Sequence, residues 1–234
     1  MILISPSKTM DTNNLSNHKI TTSNLKTTKE IVKVLVNMDK NTLANTLTIK
    51  GKTLDTAYNY YQSWGDNTKK ALQLYTGVCF SQINYQHPDY IKDYIYILSA
   101  LYGLVNGEDY IAPYRLDFLY KNLNELKLYE IWKPLITKAI NKINPSYIID
   151  ACSQEFSKLL DVNNINANIY QLNIISNNKP SSVLLKQVRG QLVNSAIELK
   201  ITEIKDFSKI KTDKIYKVEI DENQLLLNIY INKE

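Results

Sequence analysis

The strongest constraint on this fold is a set of short apolar segments that each end abruptly at a polar or turn-forming residue. Three of them are 1–4 (MILI), 94–99 (YIYILS) and 147–151 (YIIDA). Continuous apolar runs this short are typical of strands buried inside a sheet. The first run must leave its sheet at Ser5-Pro6, because proline has no N–H to donate to a neighbouring strand.

Between these segments, apolar residues recur at the spacing of amphipathic helices. One helix is predicted over 24–38, and Gly51 and Trp64-Gly65 are expected to interrupt the helical pattern that follows it. The other helices predicted in this way cover 41–63, 66–76 and 129–143, and a further strand is predicted over 167–175.

The C-terminal third adds a long helix and a hairpin. The helix is predicted to begin at 180–182 (PSS), because proline suits the first turn and serine can cap it. Its apolar stripe is formed by Leu185, Val188, Leu192, Ala196 and Leu199. The segments KIYKVEI and QLLLNIYI, joined by 221–223, predict a β-hairpin. With no repeat and no long linker, the pattern predicts one mixed α/β domain over residues 1–234.

The composition argues against several classes of protein. Cys79 and Cys152 lie far apart with no CxxC spacing, so we expect free, buried thiols rather than metal ligands or a disulfide framework. No apolar run approaches the ~18 residues that span a bilayer. The start of the chain lacks the basic and the long apolar regions of a signal peptide. We therefore expect a soluble, cytoplasmic protein that does not associate with a membrane.

The charge of the chain permits an anionic partner without requiring one. The net charge is +5, which is less basic than is usual for a protein that coats DNA. Of the 28 basic residues, all but Arg115 and Arg189 are lysines. In a chain so rich in lysine, a retained arginine is the more informative residue.

The segment 97–118 (ILSALYGLVNGEDYIAPYRLDF) holds the first arginine and directly follows a predicted strand. Ligands in α/β proteins bind where strands end. Ser99 offers a hydroxyl, Tyr102 offers a stacking face, and Gly103 allows close approach of a ligand. Arg115 beside Tyr114 suits a phosphate next to a flat ring. A tight turn, with Arg115 paired to Asp109 or Asp117, explains the same residues equally well.

Two other segments suggest anion binding. Residues 4–9 (ISPSKT) place Ser5, Lys8 and Thr9 just after a strand, although the glycine spacing of a P-loop is absent. An ordinary turn with a surface lysine is the alternative. In 184–195, Lys186 and Arg189 share one helix face, and Gly190 indicates close approach of another backbone or of a ligand. The alternative there, slightly favoured, is a helix–helix contact.

The segment 150–160 (DACSQEFSKLL) again runs from a strand into a helix. Ser153 is a plausible helix cap with Glu155 in the first turn, and capping explains both residues without a ligand. His18 and His87 are isolated from each other and from both cysteines, so the sequence predicts no metal site. Motifs such as GxSxG, HExxH and GxGxxG are absent, and no catalytic residue is predicted.

Taken in order, these segments resemble the bacterial YaaA family of peroxide stress proteins. ISPSKTMD is similar to that family's ISPAKTLD start, and LYTGV to its VYxGL. LSALYGLVNGEDYIAPYRLDF resembles its LSGLYGxLxPxDxxxPYRLEM signature. LYEIWKPLITKAIN, IIDACSQEFSK and VRGQL fall where the family has LYxFWxxxIxxxLN, an NLASxEYxK-like segment and ARGLM. The resemblance covers nearly the whole chain.

The resemblance implies a compact domain with a mixed sheet wrapped by helices around a basic cleft. It also implies binding of DNA, including unpaired or distorted DNA, through that cleft and a helix-hairpin-helix-like element. The cellular role it implies is protection against hydrogen peroxide, with less iron-driven damage to DNA. It implies no cofactor and no established reaction.

Carried over to this chain, the resemblance predicts two groups of site residues. The phosphate-binding group comprises Ser5, Lys8, Thr9, Arg115, Lys186 and Arg189. The cleft-lining group comprises Ser99, Tyr102, Gly103, Asp109, Tyr114, Ser153, Glu155 and Gly190. At three positions that are usually basic in the family, this chain has Tyr60, Gln187 and Asn194. A thinner basic lining predicts weaker affinity for duplex DNA.

Two main functions compete. The first is a nucleic-acid-binding stress protein, in which the cations hold phosphates and Tyr102 or Tyr114 packs against bases. The second is an enzyme of unrecorded activity on a nucleotide-like or phosphorylated small molecule, since Ser99, Asp109 and Glu155 exceed what phosphate binding requires. Direct binding of iron is a weak third, because two histidines and two distant cysteines form a poor ligand set.

Overall fold

The computed structural model describes residues 1–120, 123 and 126–231. Within them, seven strands form one mixed sheet in the order β10-β11-β9-β8-β1-β5-β6. These strands are β1 (Ile2–Ile4), β5 (Ile95–Ser99), β6 (Gly103–Asn106), β8 (Tyr147–Asp150), β9 (Asn168–Ile175), β10 (Ile215–Asp221) and β11 (Leu226–Ile231). The mixed α/β fold class predicted from the sequence is confirmed.

Strand β1 lies inside the sheet and pairs in parallel with β5 on one side and β8 on the other. Its residues are fully buried, as the apolar run predicted. Strand β8 continues in parallel to β9, and β9 to β11. Antiparallel partners, β6 and β10, form the two edges of the sheet.

Eight α-helices and two short 3-10 helices complete the described part of the chain. They are α1 (Leu25–Val36), α2 (Lys40–Leu47), α3 (Lys52–Gln62), α4 (Ala71–Leu74), α5 (Pro88–Tyr94), α6 (Leu128–Ile143), α7 (Gln154–Ser157) and α8 (Ser182–Glu198), with short 3-10 helices at Phe80–Gln82 and Ile204–Lys209. None of the described helices is long and apolar enough to cross a membrane.

Most elements predicted from the pattern are present. The break at Gly51 separates α2 from α3, and its φ of +55° lies in the region that glycine favours. Ser181 caps α8, since its hydroxyl accepts a hydrogen bond from the Leu184 amide at 3.1 Å. The C-terminal hairpin is also present, with β10 and β11 antiparallel.

Two details of the predicted elements are wrong. Residues 66–76 do not form one helix: β3 (Lys69–Lys70) and β4 (Tyr75–Thr76) flank the single turn of α4. The reason is tertiary pairing, because β3 pairs with β7 (Tyr110–Ile111) and β4 with β2 (Thr9–Met10). The stripe of α8 also ends early, since Leu199 follows the helix and is 55% exposed.

Gly190 marks the closest contact of α8 with the rest of the molecule. A Cβ at this position would overlap the backbone carbonyl of Cys79 and lie 2.8 Å from Cβ of Gln82. Glycine is therefore required by the approach of another backbone, one of the two alternatives that the sequence allows. The contact fixes α8 against the loop after β4.

Replacement of Gly190 by alanine is expected to destabilise the fold. Overpacking against rigid backbone costs about 3 kcal/mol, the upper end of the usual range. Alanine's better helix propensity returns about 1 kcal/mol. We expect a net loss of about 2 kcal/mol in the free energy of unfolding, measured by urea denaturation. The control is Gln187→Ala on the same helix, and equal stability of the two variants would contradict the packing argument.

Candidate functional site

A cavity of about 500 Å³ opens at the carboxyl ends of β1 and β8. The chain passes from β1 to β5 on one side and later returns to β8 on the other, so the crevice lies where the strand order reverses. This is the usual position of ligand sites in open α/β sheets. The cavity is lined by Ser5, Pro6, Ser7, Lys8, Thr9, Thr76, Gly77, Val78, Cys79, Phe80, Leu116, Asp117, Ala151, Ser153, Glu155, Phe156, Lys186 and Arg189.

Hydroxyl groups join the two strand ends at the floor of the cavity. The backbone N–H of Ser153 donates a hydrogen bond to Oγ of Ser5 at 2.9 Å, and the two Oγ atoms lie 3.3 Å apart. Ser153 precedes α7, but its own side chain forms no capping hydrogen bond. Ser153 therefore occupies the N-cap position, as predicted, but its hydroxyl contacts Ser5 instead of capping the helix.

Three cations reach the cavity from separate parts of the chain. Lys8 follows β1, whereas Lys186 and Arg189 lie one turn apart on α8. Lys8 and Lys186 are exposed and Arg189 is half-buried. The shared helix face predicted for Lys186 and Arg189 is the face that meets the cavity.

Two carboxyl groups lie beside these cations. Asp117 forms an ion pair with Lys8 and is only 3% exposed, whereas the Lys8 side chain is 56% exposed. The Glu155 carboxyl is hydrogen-bonded to that of Asp117. Two carboxyl groups in direct contact repel each other strongly if both are ionised, so one of them holds a proton.

The environment places that proton on Glu155. Burial, the hydrogen bond to Asp117 and the negative charge of Asp117 together raise the pKa of Glu155 to about 8. Burial alone would raise the pKa of Asp117, but hydrogen bonds from Glu155 and Lys8 outweigh it and hold that pKa below its usual range. At neutral pH the pair is therefore a carboxylic acid next to a carboxylate, able to donate and to accept hydrogen bonds.

Arg115 lies behind the cavity and supports its wall. Its guanidinium Nη1 donates to the carbonyl of Lys8 at 2.9 Å, and its own carbonyl accepts a hydrogen bond from the Tyr61 hydroxyl. The ion pairs with Asp109 or Asp117 considered from the sequence do not form, because Lys8 takes Asp117. Arg115 instead lines a second, shallower groove of about 310 Å³, which also contains Lys52 and Tyr60.

Several residues predicted to line the cleft are buried beneath it. Ser99 and Tyr102 have no exposed surface, and Tyr114 is 3% exposed. The Tyr114 hydroxyl lies 2.8 Å from Oγ of Ser99 and 2.8 Å from the hydroxyl of Tyr75. None of the three lines the cavity, and the predicted placement of Ser99 and Tyr102 on the cleft surface is wrong, because both side chains are fully buried in this network. Tyr114 lines the second groove beside Arg115 with the small exposed part of its side chain.

The remaining predicted lining residues also have structural roles elsewhere. A Cβ on Gly103 would lie 2.6 Å from the ring of Trp132, and its φ is +73°, so packing and backbone conformation require glycine. Asp109 accepts a hydrogen bond from the Thr21 hydroxyl at 3.0 Å, away from the cavity. Gly190 contacts the Cys79 backbone. The predictions that Gly103, Asp109 and Gly190 line the cleft are wrong.

The structure brings seven predicted residues together at the cavity: Ser5, Lys8, Thr9, Ser153, Glu155, Lys186 and Arg189. Sequence reasoning missed Asp117 as a site residue, although it follows Arg115 by two positions in the same signature. It also missed the apolar walls formed by Val78, Phe80, Leu116 and Phe156. No charge or spacing pattern distinguishes these walls from ordinary core residues.

The cysteines are free, as predicted. Burial is the largest influence on both thiols: it raises the pKa of Cys79 to about 11 and that of Cys152 well above its ordinary value. Neither thiol is a reactive thiolate at neutral pH. Among the described residues, no group of three or more His, Cys, Asp or Glu side chains is placed to hold a metal ion.

Comparison with known proteins identifies a family. A family model described as "Peroxide stress protein YaaA" matches residues 1–221. A UPF0246 protein of Malacoplasma penetrans is 31% identical over 222 residues, covering 88% of this chain and 90% of the relative. UPF0246 proteins of Fusobacterium nucleatum (29% identity, 91% of each chain) and Clostridium botulinum (27% identity, 97% of this chain and 98% of the relative) are similar over almost their whole length.

The raised pKa of Glu155 predicts a pH-dependent stability. The folded state holds this proton more tightly than the unfolded state does. The proton therefore stabilises the folded protein at low pH, and this stabilisation is lost as pH rises through the pKa of about 8. We expect Glu155→Gln to gain stability relative to the wild type between pH 6 and 9, measured as the difference in melting temperature.

The comparison must be made between variants, because the buried Met1 ammonium, with its pKa lowered to about 6, titrates in the same range. The matched control is Glu130→Gln, which removes an exposed carboxylate of α6 that pairs with Lys127. If the melting temperatures of both variants follow that of the wild type across this range, Glu155 does not hold the proton.

Proposed function

The chain belongs to the YaaA family of peroxide stress proteins, and on that premise we propose that it binds DNA through the cavity at the ends of β1 and β8. Lys8, Lys186 and Arg189 hold phosphates in this proposal. The observation that carries it is their convergence on one cavity from two segments that lie far apart in the sequence. Surface lysines that serve only solubility are expected to be dispersed over the surface rather than gathered at one cavity.

The balance of charge favours an anion. Three cations and one carboxylate, with Glu155 protonated, give the cavity a net charge of +2 at neutral pH. Ionisation of Glu155 above its pKa of about 8 reduces this to +1. Because phosphate contacts release counterions, affinity is expected to fall steeply with salt.

Unpaired or distorted DNA fits this site better than regular duplex. The cationic groups surround a concave opening rather than a flat or extended surface, and an extruded nucleotide can enter it. Tyr60, at a position usually basic in the family, lines the neighbouring groove beside Lys52 and Arg115 and offers a ring for stacking. Asn194, another such position, accepts a hydrogen bond at its Oδ1 from the backbone N–H of Asn84 at 2.8 Å.

Protection from iron-driven damage follows, in this proposal, from occupancy of DNA rather than from direct binding of iron. The cations of the cavity repel a metal ion, and the described residues place only two carboxyl groups there, with no group of three or more His, Cys, Asp or Glu side chains to hold one. The helix-hairpin-helix-like element implied by the resemblance, and the cytoplasmic location, stay predictions.

The second function, an enzyme acting on a nucleotide-like or phosphorylated small molecule, is favoured by one observation. Asp117 and Glu155 form a carboxyl pair with opposite pKa shifts at the wall of a cavity, and such pairs are frequent in active sites. Phosphate binding alone does not require this pair. Turnover of a nucleotide that is abolished in Asp117→Asn would favour the enzyme over a passive binding protein.

Removal of the helix cations tests DNA binding. For the double variant Lys186→Gln/Arg189→Gln we expect at least a tenfold loss of affinity for bubble and single-stranded DNA at ~0.1 M salt, because two phosphate contacts are lost. The slope of log affinity against log salt should become shallower by ~0.7 for each single-strand phosphate released. Fluorescence anisotropy across a salt series measures both quantities.

The control for this experiment is Lys138→Gln/Lys142→Gln, which removes the same charge from exposed positions on α6. If both double variants lose affinity equally, net charge rather than the cavity governs binding. Unchanged affinity in the α8 variant would overturn the proposed site.

A further inference from the structure

Two buried polar atoms at the cavity residues have no hydrogen-bond partner in the described protein apart from the contact within the carboxyl pair. They are Oε1 of Glu155 and Nε of Arg189. Buried polar groups in folded proteins almost always have partners, so each exception calls for an explanation. The Glu155 carboxyl on α7 and the Arg189 guanidinium on α8 line the same cavity, so one ligand can contact both.

The walls of the cavity divide into three chemical regions. Lys186 and Arg189 provide positive charge from α8, and Phe80, Leu116 and Phe156 provide apolar surface. The carboxyl pair of Asp117 and Glu155 provides the third region. A volume of about 500 Å³ lies within the range of small-molecule sites.

We propose that the cavity binds a single nucleotide unit, with its phosphate against Lys186 and Arg189, its base between the apolar walls, and the hydrogen-bonding edge of the base facing the carboxyl groups of Asp117 and Glu155. The unit is either a free mononucleotide or a nucleotide extruded from a DNA strand. This inference rests on the proposed function, because it uses the same cations for the phosphate.

The carboxyl pair distinguishes a nucleotide from a simpler anion. Inorganic phosphate or a sugar phosphate would meet the Asp117 carboxylate as a like charge and leave the apolar walls without a partner. The edge of a nucleobase carries donors and acceptors side by side. A carboxylic acid next to a carboxylate offers the complementary pattern.

The bound base would hold the proton of the pair in place. The groups that face Glu155 are Asp117 and Lys8 across the cavity wall, Lys158 on the following turn and Tyr129 on α6, with Lys186 and Arg189 across the opening. With its pKa at about 8, Glu155 is largely ionised at pH 9 before binding. A ligand that needs the acid form must then take up a proton, and only a minority of the protein is ready to bind.

Isothermal titration calorimetry with the full chain tests this inference. The probes are the four deoxynucleoside 5′-monophosphates, with 2-deoxyribose 5-phosphate and inorganic phosphate as controls. We expect at least one nucleotide to bind with 1:1 stoichiometry and at least tenfold more tightly than either control. Between pH 7 and pH 9 its affinity should fall by about tenfold in the wild type.

Proton uptake provides the decisive readout. Titrations at pH 9 in two buffers of different ionisation enthalpy should show uptake of nearly one proton by the wild type and none by Glu155→Gln. The variant should retain its affinity at pH 9, because its neutral amide replaces the acid as a donor. Glu130→Gln, exposed on α6, should behave as the wild type.

The outcomes separate this inference from the proposed function. Binding of bubble DNA without saturable binding of any mononucleotide overturns the inference and leaves DNA binding intact. Nucleotide binding with the same proton uptake in the wild type and Glu155→Gln also overturns it, since the pair does not contact the base. Nucleotide binding without DNA binding supports the site and overturns the proposed function.

Discussion

The parallel pairing of β1 with β8 is the interaction on which the rest of the site depends. It brings the carboxyl ends of two strands that are almost 150 positions apart in the chain side by side, and there the backbone N–H of Ser153 donates a hydrogen bond to Oγ of Ser5. Lys8 and Glu155 follow directly from these two strands. Because both strands are buried and short, their ends cannot shift without breaking the ladder, and the side chains beyond them are held in place.

The second constraint is electrostatic. Asp117 is almost fully buried, and a buried carboxylate requires a partner. Lys8 supplies the charge and Glu155 supplies a hydrogen bond, so one carboxylate and one carboxylic acid coexist at the wall. The site is therefore more than a row of cations on a surface. Its charge depends on the proton of Glu155, and this couples any anionic ligand to pH.

Much of the fold follows from local pattern. The buried runs at β1, β5 and β8, the break at Gly51 and the cap at Ser181 each reflect a local preference that tertiary contacts reinforce. The predicted elements are wrong where pairing with a distant strand overrides the local helix propensity. Residues 66–76 have a helical pattern, but strands β3 and β4 form there because β7 and β2 provide partners for them. A local sequence pattern does not show which distant strands will pair with these residues.

The sequence alone determined which residue types were present at the ends of strands and on one face of α8, and its motifs indicated the family. Tertiary structure decided which of them meet. Tyr102, Tyr114 and Ser99 carry suitable chemistry, yet they are buried as a hydroxyl network, whereas Asp117 reaches the cavity through the fold around it. Exposure and proximity depend on how distant segments pack, and a linear pattern contains neither, so the carboxyl pair and its proton emerge only in three dimensions.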